Sequence, residues 1–373
     1  MKTKTLISNI FIVIISILIA LIFFEIYARK NSEKFLGYGW QNNNILVDKI
    51  KICNGSKKIA IFGDSFVEYY GENEINLGKL IQNKSNYSVC NFGLSGTRIS
   101  DYINRFLTVN QSKLKFEKII FFIYEGNDFN EYRYLKKNQT LNSLMINGEE
   151  ILKYNSKNYK DRKFNLLKNF IKSNYSLNFI YREIYKKNFK KNNIDESFLK
   201  DIYLNDLFKE ITFEVAIQNL NNTPLEIREK LSSGLYNTSW YELALRNPNY
   251  FNDIFNPNKS DFEKQKLIAF KHLDFINNVC ANKNLDCKFV IIPADFNNFE
   301  IRKKRYEKIF QFNYNKYNGK PLIIKELLQN YKNVYYPDKT FIEKDYLVDD
   351  IHLNGRGNKK LAEFTMNILS KQF

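Results

Sequence analysis

The sequence predicts an α/β fold built on a parallel sheet. Three observations carry that expectation. Apolar runs of strand length recur at residues 58–62, 87–92, 118–124 and 288–293. Stretches of helical periodicity stand between them, such as 99–109 and a long one ending near Cys280. The first three runs lead into the polar turns Gly63-Asp64-Ser65, Gly93-Leu94-Ser95-Gly96 and Glu125-Gly126-Asn127-Asp128. A parallel sheet gathers such turns on its carboxyl edge, where α/β proteins bind ligands.

Taken in order, the chain opens with residues 6–27, LISNIFIVIISILIALIFFEIY, almost wholly apolar and of bilayer-spanning length. Only Glu25 is charged, near the end, where a side chain reaches the interface. A cleaved signal has a shorter apolar core and small residues before the cut. Ile26-Tyr27-Ala28 lacks that pattern, so an uncleaved single-pass anchor is expected. Lys2 and Lys4 before the span and Arg29, Lys30 and Lys34 after it leave the charge rule undecided. The very short N-terminal tail favours the body outside the cytoplasm. The expected organisation is an anchor at 1–30, a polar tether at 31–56 and an α/β domain at 57–373.

Within that domain the strand at 58–62 comes first, 87–92 second and 118–124 (KIIFFIY) third. Residues 138–260 break the rhythm. They are rich in Asn, Lys, Tyr and Phe, with helical patches such as 164–185, and are read as a mostly helical insert whose aromatics form its own core. The rhythm resumes with a helix carrying Phe262, Ala269, Leu273, Ile276 and Val279 on one face. His272 lies on it and is read as a structural or surface histidine. A strand at 288–293, a helix at 322–329, a short strand at 334–336, a loop and a closing helix with Leu361, Ala362, Thr365, Ile368 and Leu369 inward complete the chain.

Composition narrows the functional classes. An aromatic fraction of 16% within 373 residues supports a full core rather than disorder. The formal charge of +17 suits nucleic acid, an anionic membrane face or an acidic glycan. The lysines, however, are spread along the chain without a nucleic-acid motif, so no nucleic-acid partner is expected. The four cysteines, Cys53, Cys90, Cys280 and Cys287, form no Cys-x-x-Cys pair, and with two distant histidines a metal site is not expected. They fit disulfides in an oxidising compartment or four buried thiols. The short turn between Cys280 and Cys287 brings that pair within bridging reach, and Cys53–Cys90 is the weaker candidate.

A serine on the first turn needs an adjacent base. Only His272 and His352 exist. His352 stands in Asp349-Asp350-Ile351-His352-Leu353-Asn354 near the C-terminus, and nucleophile first with Asp-x-x-His last is one linear order of a Ser-His-Asp triad. The reading assigns Asp349 to the imidazole and sets Asp350 aside as too close in sequence to reach the ring.

These blocks resemble the SGNH/GDSL hydrolase superfamily of esterases and acyltransferases. Gly63-Asp64-Ser65 resembles its first block, Asn91-Phe92-Gly93-Leu94-Ser95-Gly96 its second, Gly126-Asn127-Asp128 its third and Asp349-Asp350-Ile351-His352 its fifth, with Asn354 and Gly357 following as HLNxxG. The third block departs from Gly-x-Asn-Asp, because Glu125 holds its first position, which would alter shape or charge beside the oxyanion site. The resemblance implies a flavodoxin-like three-layer α/β/α fold with Ser65 as nucleophile. It also implies an oxyanion hole from the Ser65 and Gly96 N–H groups and the Asn127 amide, and no cofactor. The expected function is hydrolysis of acyl esters, with acetyl esters of a cell-envelope glycan as the leading class. An O-acyltransferase with the same triad and a silent glycan-binding scaffold are the alternatives.

Overall fold

The computed structural model describes residues 2–30, 45–68, 76–129, 211–233, 241, 244–245, 259–310, 320–337, 340–347 and 350–370. Its centre is a five-stranded sheet, β1 (Lys58–Phe62), β2 (Ser88–Asn91), β3 (Lys118–Tyr124), β4 (Asp286–Ile292) and β5 (Val334–Tyr335), in the order β2-β1-β3-β4-β5. Every pairing is parallel. This is the flavodoxin-type order, in which chain direction across the sheet reverses between β1 and β3.

Central parallel strands are covered on both faces, so their sequences read as continuous apolar runs. β1 and β3 are buried at every position but the first. One face is formed by Ile59 and Ile61 of β1, Ile120, Phe122 and Tyr124 of β3, and Val290 and Ile292 of β4. Against it pack α4 (Leu77–Asn83), α10 (Glu300–Phe310) and α12 (Gly355–Ser370). The other face carries Phe62, Phe121 and Phe289 as a cross-strand ring ladder, with centroids 5.2 and 5.4 Å apart. It is covered by α5 (Ile99–Asn110), α8 (Lys259–Asn282) and α11 (Lys320–Asn330). In α5, Ile99, Tyr102, Ile103, Phe106 and Val109 recur at the spacing of one helical face. The expected three layers are therefore present.

The remaining helices are α1 (Lys2–Lys30), α2 (Ile45–Ile52), α3 (Ser65–Glu68), α6 (Phe213–Asn222), α7 (Leu225–Ser232) and α9 (Asp295–Asn298), with a 3₁₀ turn at Glu343–Asp345. Among the described residues no helix is long and apolar enough to cross a membrane. α1 has 29 residues, but the side chains of residues 2–10, Ile14 and Leu18 lie outside the described set, so the expected span at 6–27 rests on its sequence.

The expected tether at 31–56 contains α2, whose Leu46 and Ile50 pack on the ring-ladder side while Lys49 is buried. Residues 31–44 lie outside the description. Two disulfides are present: Cys53–Cys90 joins the segment after α2 to β2, and Cys280–Cys287 joins the end of α8 to β4. The pair ranked lower from sequence is thus also formed, because the chain folds back beside β2 and brings the two Cα atoms to 5.2 Å. Most of the insert at 138–260, including the helical patch at 164–185, lies outside the described residues. Its described part, α6 and α7 with Tyr241 and Leu245, does share an apolar cluster of its own.

Candidate active site

Ser65 opens α3 directly beyond β1, beside the point where the sheet reverses. Asp64 shapes this turn. Its Oδ1 accepts the Phe66 N–H at 3.0 Å and its carbonyl accepts Val67 and Glu68 N–H groups. Gly63 enters the turn without a positive φ. The requirement is space: a Cβ there would stand 2.3 Å from Val67 Cγ2 and 3.2 Å from the Phe122 carbonyl. Burial pushes the Asp64 carboxyl up to about 6, against the opposing pull of the Phe66 N–H, His352 and Arg105.

His352 arrives from the far end of the chain. Its Nε2 lies 2.7 Å from Ser65 Oγ and its Nδ1 lies 2.5 Å from Asp350 Oδ1. An ionised carboxylate only accepts, so Nδ1 carries the proton and Nε2 accepts from the serine hydroxyl. Burial works to keep Asp350 protonated, yet the neighbouring His352 and hydrogen bonds from that ring and from backbone N–H groups bring its carboxyl below the ordinary range. For His352, burial opposes the imidazolium. The Asp350 charge and hydrogen bond, with Asp64 and Asp295 adding, outweigh burial and raise it above its ordinary value. Phe66 lies against the ring at 4.8 Å and is itself stacked on Tyr124 at 4.3 Å. Ser65 is 8% and His352 5% exposed, so both are buried.

Among the described residues the carboxylate at the imidazole is Asp350, whereas the sequence reading chose Asp349. Asp349 lies outside the described residues. The earlier objection fails because the chain bends at Asp350. Its Oδ1 also accepts the His352 backbone N–H at 3.1 Å, and this local turn folds the carboxylate under the ring two residues on.

The two other expected contributors stand on the same edge. Gly96 follows β2 with φ +72°, a conformation that glycine adopts at little cost. Asn127 follows β3 in a turn closed by Asp128, whose Oδ2 accepts the Tyr124 N–H at 2.7 Å and the Tyr102 hydroxyl at 2.8 Å. Glu125 is the residue expected to alter shape or charge beside the oxyanion site. It is fully buried, and its Oε2 accepts the Ala294 N–H at 2.8 Å and the Tyr336 hydroxyl at 3.3 Å, tying β3 to the end of β4. At the position where the block departs from Gly-x-Asn-Asp, the glutamate thus makes bonds between strands. His272 is buried on α8, in the layer that covers the ring ladder.

Beneath the first two turns lies a buried charged cluster that the sequence reading missed. Lys49 Nζ donates to the Gly93 carbonyl at 2.6 Å, and Glu68 Oε2 accepts the Ser95 N–H at 2.6 Å. Arg105 donates to the Gly63 carbonyl at 2.9 Å and to Thr97 Oγ1 at 3.1 Å. Burial brings the Lys49 ammonium down to about 8, with Glu68 opposing the fall and Arg105 adding to it. The only sequence signal for Lys49 was the apolar spacing of Leu46 and Ile50 around it, inside a segment read as tether. Among the described residues no group of His, Cys, Asp or Glu is arranged to hold a metal ion. No protein-family model matches this chain, and no curated protein sequence matches it significantly.

Proposed function

We propose that the chain is a serine esterase of the SGNH/GDSL type, working through Ser65, His352 and Asp350. The observation that carries this reading is the relay Ser65 Oγ–His352 Nε2 at 2.7 Å with Asp350 on Nδ1, assembled from residues 287 positions apart. His352 takes the Ser65 proton as Oγ attacks an ester carbonyl, and Asp350 holds the imidazole tautomer and offsets the cation that forms. The tetrahedral oxyanion falls to the Ser65 and Gly96 N–H groups and the Asn127 amide, and one such donor lowers the barrier by about 3 kcal/mol. The proton on His352 then goes to the leaving alcohol, and water, activated by the same imidazole, releases the acyl group from Ser65.

The substrate class in this reading is an acyl ester, most simply an acetyl ester. Residues 6–27 hold the protein in a membrane with the catalytic domain outside the cytoplasm. The two disulfides support that placement, since such bonds persist in oxidising compartments. A basic, envelope-facing enzyme points to an acidic or acetylated glycan as the alcohol side of the ester. The test is incubation of the full-length chain with a fluorophosphonate probe and mapping of the adduct. Modification of Ser65, lost in Ser65→Ala and His352→Ala and kept in His272→Ala, is the expected result. Modification elsewhere, or none in folded protein, would refute the assignment.

A further inference from the structure

A second buried cluster lies at the end of β4. Asp295 is fully buried, Oδ1 accepting the Phe296 N–H at 2.9 Å and Oδ2 accepting the Tyr306 hydroxyl at 2.9 Å. Arg302, on α10 and 3% exposed, pairs with that Oδ2 through NH1 at 2.9 Å. The rest of its guanidinium turns to the loop that delivers the histidine. NH1 donates to the Asp350 carbonyl at 3.2 Å, and NH2 donates to the carbonyls of Leu347 at 2.8 Å and Glu343 at 3.4 Å. The guanidinium carbon sits 5.5 Å from the centre of the Tyr346 ring, whose hydroxyl donates to the Pro293 carbonyl at 3.0 Å.

We propose that Arg302 is a positioning residue for the proton relay, clamping the loop from Glu343 to His352 onto the carboxyl end of β4; this rests on the reading of Ser65 and His352 as nucleophile and base. The loop's mouth is closed by the Tyr346–Leu353 bridge and by Leu347 N–H to the His352 carbonyl at 2.9 Å. Those bonds fix its ends. They do not fix Asp350, whose carboxylate must stay under the imidazole. The Asp350 carbonyl is held by Arg302, so the guanidinium sets the peptide from which the relay's carboxylate projects. Three carbonyls spread over eight positions converge on one planar fork, a task for which a lysine ammonium has the charge but not the geometry. The path is continuous: β4, Asp295, Arg302, Asp350, His352, Ser65.

The experiment uses the full-length chain in detergent micelles with p-nitrophenyl acetate and a fluorophosphonate, with rates expressed per folded molecule. Arg302→Lys is expected to lower kcat and the labelling rate together by about 10- to 100-fold, with KM within about twofold, the scale on which a small misplacement of a relay acts. The acid limb of kcat/KM is expected to move to lower pH, because Asp350 would no longer hold the imidazolium as firmly. Asp295→Asn, which keeps the guanidinium but unties it from β4, is expected to lose in the same direction by a smaller factor. Tyr306→Phe removes a bond to the same carboxylate while leaving the three Arg302 bonds to the loop carbonyls, and is expected to keep the wild-type kcat. If Arg302→Lys and Asp295→Asn keep wild-type kcat and acid limb while wild type labels at Ser65, the positioning role is overturned and the esterase reading stands. An equal loss of kcat in Tyr306→Phe would reduce Arg302 to general packing and overturn the role as well. Wild type that neither labels nor hydrolyses the ester would overturn both.

Discussion

Replacing Asp350 by Asn separates the charge of the relay from its geometry, and the structure sets the size of the effect. Oδ1 of Asp350 accepts from His352 Nδ1 and from the His352 backbone N–H. With the backbone N–H directed at that position, an asparagine places its oxygen there and its amide nitrogen away. The imidazole then keeps the proton on Nδ1 and still accepts from Ser65, so only the charge is lost. A hydrogen bond to a charged group contributes about 1.5–3 kcal/mol, which is roughly a 10- to 150-fold loss in kcat. Asp350→Ala also removes the acceptor that selects the tautomer, and a loss of about 10³- to 10⁴-fold is expected. His352 is raised chiefly by Asp350 against the effect of burial, so both variants should also move the acid limb of the kcat/KM profile downward in pH. Asp349→Asn should stay within about threefold of wild type, because the carboxylate on Nδ1 is already identified. The assay is steady-state hydrolysis of p-nitrophenyl acetate between pH 5 and 9, with unfolding midpoints measured in parallel. Asp349→Asn falling further than Asp350→Asn would refute the reasoning, and so would an Asp350→Asn loss as large as that of Asp350→Ala.

Other consequences can be measured separately. Asp64 has a carboxyl raised by burial from 3.8 to about 6, so the folded state holds its proton longer than the unfolded chain, and stability falls as pH rises across that window. Asp64→Asn keeps the acceptor for the Phe66 N–H, so it should match wild type below about pH 4 and be up to about 3 kcal/mol more stable above about pH 6; parallel urea curves at both pH values would contradict this. Phe121→Ala removes the middle of the ring ladder and should cost about 3–5 kcal/mol of unfolding free energy with little change in KM, and a loss under about 1 kcal/mol would mean that the ladder does not carry the core. By loop-closure entropy, Cys53→Ala/Cys90→Ala should lose about 4 kcal/mol and Cys280→Ala/Cys287→Ala about 2.5 kcal/mol, since the bridged positions are 37 and 7 residues apart. Thiol titration of denatured protein taken from its native compartment should find no free cysteine, and four free thiols would remove both bridges.

The legibility of the fold differed from strand to strand for physical reasons. β1 and β3 fall at the residues their apolar runs marked, because a strand covered on both faces leaves no polar position to blur the pattern. β4 begins two residues earlier than its run, at Asp286, because that polar end pairs with Lys118, whose Nζ is 3.6 Å from the Asp286 carboxylate. Hydropathy does not register such a pairing. The strand order depends on crossovers that no local pattern encodes.

At the site, Ser65 and His352 were legible from residue type and linear order, and the structure brings them into contact. Asp350 was not, since sequence separation says nothing of a turn that folds a carboxylate back two residues. Lys49 and Arg302 were further out of reach, because each acts on backbone carbonyls 41 to 48 residues away, and any lysine- or arginine-rich helix offers many equal candidates.

The two buried clusters answer one structural problem in the same way. Buried turns and loops leave backbone carbonyls that must find partners inside the protein. Here the Gly63 carbonyl accepts from Arg105 as well as from the Leu94 N–H, that of Gly93 accepts from Lys49, and the loop carbonyls of Leu347 and Asp350 accept from Arg302. Long cationic side chains reach such carbonyls from helices outside the sheet, and their bonds are charge-assisted. Each cation then needs a buried anion, supplied by Glu68 beside the first two turns and by Asp295 at the end of β4. The arrangement gives precise turns at the cost of fragility. Removing one partner strands the other charge in the interior, at about 3–5 kcal/mol. Substitutions at Lys49, Arg105 and Arg302 should therefore be harsher toward methionine than toward a second cation, even though none of the three touches the serine.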